Sequence, residues 1–267
     1  MTISLFALTT ASNVGWVELL ASCVLLLIAL CISIILKIQI EKSVVVASVR
    51  AAIQLLAVGI LFTAIFDHDL AQMWAWIWVA VMIVISVVVV DRRSPNIVGI
   101  RFPTFASIGA ATGITLGVIF PLGIFSFDAV NIVVLAGITI GNIMPATVLA
   151  VHELENQFRQ RKGEVESLLA LGAGKSIVRR FLCPNIIKIA ITQQIERTKV
   201  VGLIALPGAM TGLLLAGIDP VEAVLIQLIV MYMILGGTVV TASIVVWFGS
   251  RNIFTADQRL SAWTDFS

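Results

Sequence analysis

Long apolar runs separated by short polar connections dominate the chain. A helix crosses a bilayer with about 20 apolar residues. Six runs fit that requirement, at residues 16–36, 44–66, 73–90, 102–124, 129–151 and 221–248. A polar stretch from His152 to about Lys175 follows the fifth run. The region from Ser176 to Ile218 admits two readings. In one, residues 176–198 lie on the membrane surface and 200–218 span. In the other, the chain enters the membrane after Pro184, residues 185–206 span, and 207–217 form a broken or re-entrant piece. Either reading predicts an all-α polytopic membrane protein of about seven transmembrane helices, forming one transmembrane domain over residues 1–267.

Composition supports a bilayer as solvent. Apolar types make up 60% of the 267 residues and charged types 12%, about half the share usual in soluble domains. No basic residue precedes Lys37, and the first apolar run exceeds a signal-peptide core, so it is expected to be retained as a span. Cys23, Cys31 and Cys183 form no CxxC pattern, which argues against a disulfide framework. The net charge of +2 gives no case for nucleic-acid binding. Neither HExxH nor GxSxG occurs, so nothing points to an enzyme.

The placement of charge sets the orientation. Lys37, Lys42 and Arg50 flank the first connection, Arg92, Arg93 and Arg101 the third, and Arg159, Arg161, Lys162, Lys175, Arg179, Arg180 and Lys188 follow the fifth run. Arg251 and Arg259 come after the last run. The alternate connections carry Glu18, Asp67, Asp69, Asp128, Asp219 and Glu222, with no Lys or Arg. Because Lys and Arg accumulate on the cytoplasmic side, the N-terminus is expected outside and the C-terminus in the cytoplasm. Trp74, Trp76 and Trp78 crowd the outer end of the third run, where indoles favour the interface.

The cytoplasmic stretch, about residues 152–184, carries a spaced pattern. Glu166 stands six residues before Gly172, and Pro184 twelve after it. A short helix with small residues and leucines can seat in a groove of a soluble partner, and glycines at its end let the backbone turn. The pattern resembles the coupling helix of ATP-binding-cassette permeases. It departs from that signature in a Pro one residue early and in Ser167 where an Ala is usual. The resemblance makes Glu164, Glu166, Leu171, Gly172, Gly174 and Arg179 the residues expected to transmit work from an ATPase. The bland reading is an ordinary surface helix. Gly174-Lys175-Ser176 also looks like the end of a phosphate-binding loop, but Leu169 occupies the place of the required earlier Gly.

Three further stretches sharpen the resemblance: residues 48–59 with Arg50 and Gln54, Gly141-Asn142-Ile143-Met144, and residues 196–220 with Glu196, Lys199, Gly202, Pro207, Gly208 and Met210. Together with the coupling stretch they resemble the FetB-type iron-export permeases of bacteria and the related aluminium-sensitivity proteins of plants, over about residues 37–250. The resemblance implies a permease of the bacterial inner membrane, acting as a homodimer in lipid with a separate ATPase subunit. It further implies export of iron or a related metal ion, with ATP bound by the partner and no cofactor on this chain. Two alternatives stand beside it: a gradient-driven secondary transporter, and a permease for a non-metal substrate such as a sugar nucleotide.

Candidate pathway residues follow from polarity inside apolar runs. Charges within the bilayer cost about 2.5–3.5 kcal/mol each on insertion scales. Glu196 and Lys199, three apart, share a helix face and can pair, either as a transport site or as a clamp between spans. Arg50 and Gln54, four apart, share a face near a cytoplasmic end, where Arg50 can also snorkel to phosphates. Asn142 and Met144 sit beside Gly141 and Pro145, a combination that opens a path or permits close packing. Met210 completes the set. No group of residues has metal-ligand spacing, so the metal ligands are not assigned, although Asp67-His68-Asp69 can hold a cation on the external side.

Overall fold

The computed structural model describes residues 16–66, 70–93, 97, 99–255 and 260. Asp67, His68, Asp69 and Arg259 lie outside the described residues. The chain divides into two compact units, one holding the first two helices with residues 212–218, the other holding residues 70–211 and the chain from Asp219 onward.

In the first unit, α1 (Trp16–Ile35) packs on α2 (Glu41–Phe66). The corner between them places Lys37 and Gln39 at positive φ, and the Ser33 hydroxyl donates to Glu41 Oε1 at 2.7 Å. Leu25, Ile35, Leu55 and Ile60 are exposed. Such an apolar exterior suits acyl chains rather than water.

The second unit contains α3 (Ala71–Arg93), α4 (Arg101–Ile119), α5 (Ala129–Gln160), α6 (Lys162–Ala170), α7 (Lys175–Val200), the start of α8 (Gly208–Leu215) and α9 (Pro220–Gly249), with a 3-10 turn at Ser250–Ile253. Helix α9 is central: α4, α5 and α7 all pack on it, and α3 packs on α5. Small residues and self-satisfied hydroxyls allow close approach. The Thr139, Thr147, Thr238 and Thr241 hydroxyls are buried, and each donates to the carbonyl four residues earlier. None of these four hydroxyls is thereby stranded in an apolar interior. Asp128 caps α5 by accepting from the Asn131 amide at 2.8 Å, and Asp219 caps α9 by accepting from the Val221 amide at 2.9 Å.

One end of this unit is a continuous apolar core. Val90, Ile100, Leu154, Phe158, Val165, Leu182, Val246 and Ile253 are buried together there. It gathers the basic connections, those after α3, α5 and α9. The acid-capped starts of α5 and α9 lie at the far ends of the same helices.

Five helices among the described residues are long and apolar enough to cross a membrane. These are α2, α3, α4, α5 and α9, whose bounds lie close to the apolar runs of the sequence. Helix α5 is longer than its run: 32 residues extend about 48 Å at 1.5 Å each, beyond a hydrocarbon core of about 30 Å.

The ambiguous region resolves into a helix and a break. Residues 200–218 do not form one spanning helix. Gly202, Pro207 and Gly217 punctuate that stretch, and α8 is only 8 residues long. The broken piece matches the alternative reading, but α7 begins at Lys175 rather than after Pro184. Burial of Val178, Arg179 and Leu182 keeps the turns before the proline helical despite the hydrogen bond it removes.

Candidate functional site

Two places in the second unit gather the polar and special residues. The first is the corner between α5 and α7. Helix α6 buries Val165 and packs Leu168 and Leu169 against the core. Its other face exposes Glu164, Glu166 and Ser167. Arg161 Nε donates to Glu164 Oε2 at 3.0 Å, and Lys162 Nζ lies 3.6 Å from Glu166 Oε1. The Arg161 guanidinium also stacks on the Phe181 ring, 4.5 Å from its centroid, tying the corner to α7.

The helix ends on Gly172. The Gly172 amide donates to the Leu169 carbonyl and the Ala173 amide to the Leu168 carbonyl, at 3.0 and 2.9 Å. This reversal requires a left-handed residue, and Gly172 has φ +87°. Gly174 is different: its backbone is extended and it precedes α7. The turn holds Leu171 at the tip with 85% of its surface exposed, while Leu168 and Leu169 pack inward.

Arg179, expected among the coupling residues, is not on the exposed face with Glu164 and Glu166. It is 8% exposed. Its Nε donates to Ser250 Oγ at 2.8 Å, its Nη2 donates to the Trp247 carbonyl, and its guanidinium stacks on the Trp247 ring at 4.4 Å. The physical reason is the last turn of α9, which offers a carbonyl with a second lone pair, beside the one the Ser250 hydroxyl uses at 3.0 Å, and an indole face to a planar cation. Arg179 therefore binds the start of α7 to the end of α9.

The second place is a cavity of about 320 Å³ lined by Asn142 of α5, Gln194 and Arg197 of α7, Gln227 and Met231 of α9, and the loop from Val200 to Gly208. The loop is irregular. Gly202 has φ +86°, its amide donates to the Ala205 carbonyl at 3.0 Å, and Leu203 and Ile204 project outward. Gln227 is 5% exposed, and its carbonyl oxygen has no hydrogen-bond partner. The Asn142 amide group donates to the Ile138 carbonyl at 2.8 Å.

Of the expected pathway residues, the cavity includes Asn142 alone. Glu196 and Lys199 pair with each other at 2.7 Å on an exposed face and do not line it. Met144 packs against the apolar core at the basic end. Met210 is half-buried in the first turn of α8 and is not among the lining residues. In the first unit, Arg50 and Gln54 share one stripe of α2 with Val46, Val49 and Ile53. No group of three or more His, Cys, Asp or Glu residues is placed to hold a metal among the described residues. Sequence reasoning passed over Gln194, Arg197 and Gln227 as site residues. Gln227 was detectable as a lone carboxamide inside the apolar run 221–248.

Comparison with known proteins adds the evolutionary setting. Residues 16–254 match the family model UPF0014, described as an uncharacterised protein family. The chain is 30% identical to the UPF0014 membrane protein YjkA of Bacillus subtilis over 248 residues, covering 92% of this chain and 98% of that protein. It is 29% identical to the probable iron export permease protein FetB of Escherichia coli, covering 93% and 95%. It is 28% identical to the protein ALUMINUM SENSITIVE 3 of Arabidopsis thaliana, covering 92% and 90%. No solved structure matches the chain.

Proposed function

Because the chain belongs to the UPF0014 family of membrane proteins, we propose that it is the membrane-spanning subunit of an ATP-binding-cassette exporter. It carries iron or a related metal out of the cytoplasm, in a bacterial inner membrane, as a homodimer driven by two copies of a separate ATPase. Seven helices cross the bilayer in this reading, with α1 and α7 joining the five apolar spans. The basic end faces the cytoplasm, the N-terminus lies outside and the C-terminus inside.

The observation that carries the reading is the build of the α6 corner. Its exposed face presents Leu171 on a fixed turn, an apolar knob beside two paired carboxylates. Its inner face is packed into the core through Val165 and tied to α7 by the Arg161–Phe181 stack, and Arg179 in turn ties α7 to the end of α9. A push on such a corner moves the ends of three helices together, because a packed core transmits displacement rather than absorbing it. ATP binding closes the ATPases, the corner tilts, and the α7–α8–α9 region opens toward the outside. The cargo follows from the kinship with a relative named for iron export.

Co-purification tests the reading. The chain, purified from the cells that produce it natively, is expected to retain an ATP-binding-cassette ATPase in detergent. Leu171→Asp removes the apolar knob and is expected to abolish retention without changing the unfolding midpoint. An ATPase held equally well by the variant sinks the coupling role of α6.

A further inference from the structure

The chemistry of the cavity between α5, α7 and α9 is not that of a bare-cation site. Its polar lining residues are three carboxamides, Asn142, Gln194 and Gln227, and one guanidinium, Arg197. None is a carboxylate. Carboxamide oxygens alone make a weak set for a hard multivalent ion, which is usually held with carboxylates among its oxygen ligands, and a guanidinium beside them repels it. Glu196, the acid nearest in sequence, is already engaged by Lys199. Arg197 thus supplies the formal charge among the lining residues.

Two further features favour an anion. The first turn of α8 opens at Gly208, which lines the cavity, and the Thr211 amide is the first to find a helical partner, in the Pro207 carbonyl. The preceding amides carry the partial positive charge of a helix start. Broken membrane helices use such starts to hold anionic substrates. Independently, Gln227 is buried in the cavity wall with an unpartnered carbonyl oxygen. A buried carboxamide left short of a partner is costly, and a hydroxyl donor from a bound molecule satisfies it. By helical rise, Gln227 lies about 10 Å along α9 and Asn142 about 20 Å along α5 from their acid-capped starts, so the cavity sits at membrane depth. Its volume is at the lower end of small-molecule sites, which suits a small acid.

We propose that this cavity binds a small hydroxylated carboxylate anion. Arg197 and the α8 start hold the carboxylates, and the carboxamides of Asn142, Gln194 and Gln227 read the hydroxyls. Resting on the exporter reading above, the inference gives the cargo a chemical form: it passes through as an anionic complex or as the free acid, not as a naked ion.

Citrate, ferric citrate and chelator-free ferrous ion serve as probes of the purified chain in lipid nanodiscs. Citrate or ferric citrate is expected to bind, and Arg197→Gln is expected to weaken that binding at least about tenfold, the worth of one charge-assisted contact. Arg197→Lys keeps most of the affinity, and Gln227→Leu loses about threefold or more. Comparing the free and ferric arms identifies the form that binds. The proposal is overturned if neither citrate form binds, if Arg197→Gln leaves binding unchanged, or if ferrous ion alone binds and Gln227→Leu removes it. Unfolding midpoints of the same variants confirm that they fold. Retention of the ATPase, measured on the same preparation, reports separately on the exporter reading.

Discussion

The two ends of the α7 helix contrast in nearly every physical respect. At its start, α7 is locked: Val178, Arg179 and Leu182 are buried, and Arg179 bridges to Trp247 and Ser250. At its end, the backbone leaves the helix at Val200, turns through Gly202 and exposes Leu203 and Ile204 before restarting at Gly208. At one end Arg179 has its polar groups satisfied by protein, while the other end faces a cavity lined by the Arg197 cation and by Gln227, whose carbonyl oxygen has no partner among the described residues. A protein that converts a push into passage needs both: stiffness where force enters, and unsatisfied chemistry where cargo is held.

The contrast yields graded tests. The largest effect is expected from Phe158→Ala. Phe158 is fully buried and meets Phe254 edge-on at 5.8 Å, so truncation leaves a cavity costing about 3–5 kcal/mol, read as a fall in the thermal unfolding midpoint in detergent. Arg179→Ala comes next. It takes the guanidinium donors from Ser250 Oγ and from the Trp247 carbonyl, which retains only the Ser250 hydroxyl, with a loss of about 1–3 kcal/mol. At the cavity end the sign should reverse. Gln227→Leu removes an unpartnered buried carbonyl and is expected to raise stability by about 1 kcal/mol while ligand binding weakens. A fall in midpoint for this variant breaks the contrast between the two ends.

The smallest effect concerns the acid-capped start of α5. The Asn131 amide, and then the Ser126 hydroxyl, hold the Asp128 carboxyl below its ordinary pKa. A carboxylate with a lowered folded pKa stabilises the protein above its unfolded pKa, and the contribution is lost as pH falls through the folded value. Asp128→Asn is therefore expected to cost up to about 1 kcal/mol at neutral pH. The difference from the unmodified chain should vanish in strongly acidic solution, as followed by midpoint against pH.

What the sequence made legible was local. The spans of α2, α3, α4, α5 and α9 are written as apolar runs, and the Glu196–Lys199 pair follows from three-residue spacing on one helix. Gly172 as a helix stop was equally readable, because one residue in a left-handed conformation suffices. Helix α7 was harder, since its polar composition hides a continuous 26-residue helix. The burial of Arg179 depends on Trp247 and Ser250, 68 and 71 positions away. The cavity likewise draws its lining from three helices and a loop. Pairwise spacing along one chain segment contains neither arrangement.

Cross-linking from the tip of the α6 turn tests the central claim most directly. A photoactivatable residue introduced at Leu171 in inverted membrane vesicles, whose cytoplasmic face is outward, should form an adduct with the soluble ATPase and react with membrane-impermeant label. Adducts only with lipid, or labelling only from the opposite face in right-side-out vesicles, would contradict the account.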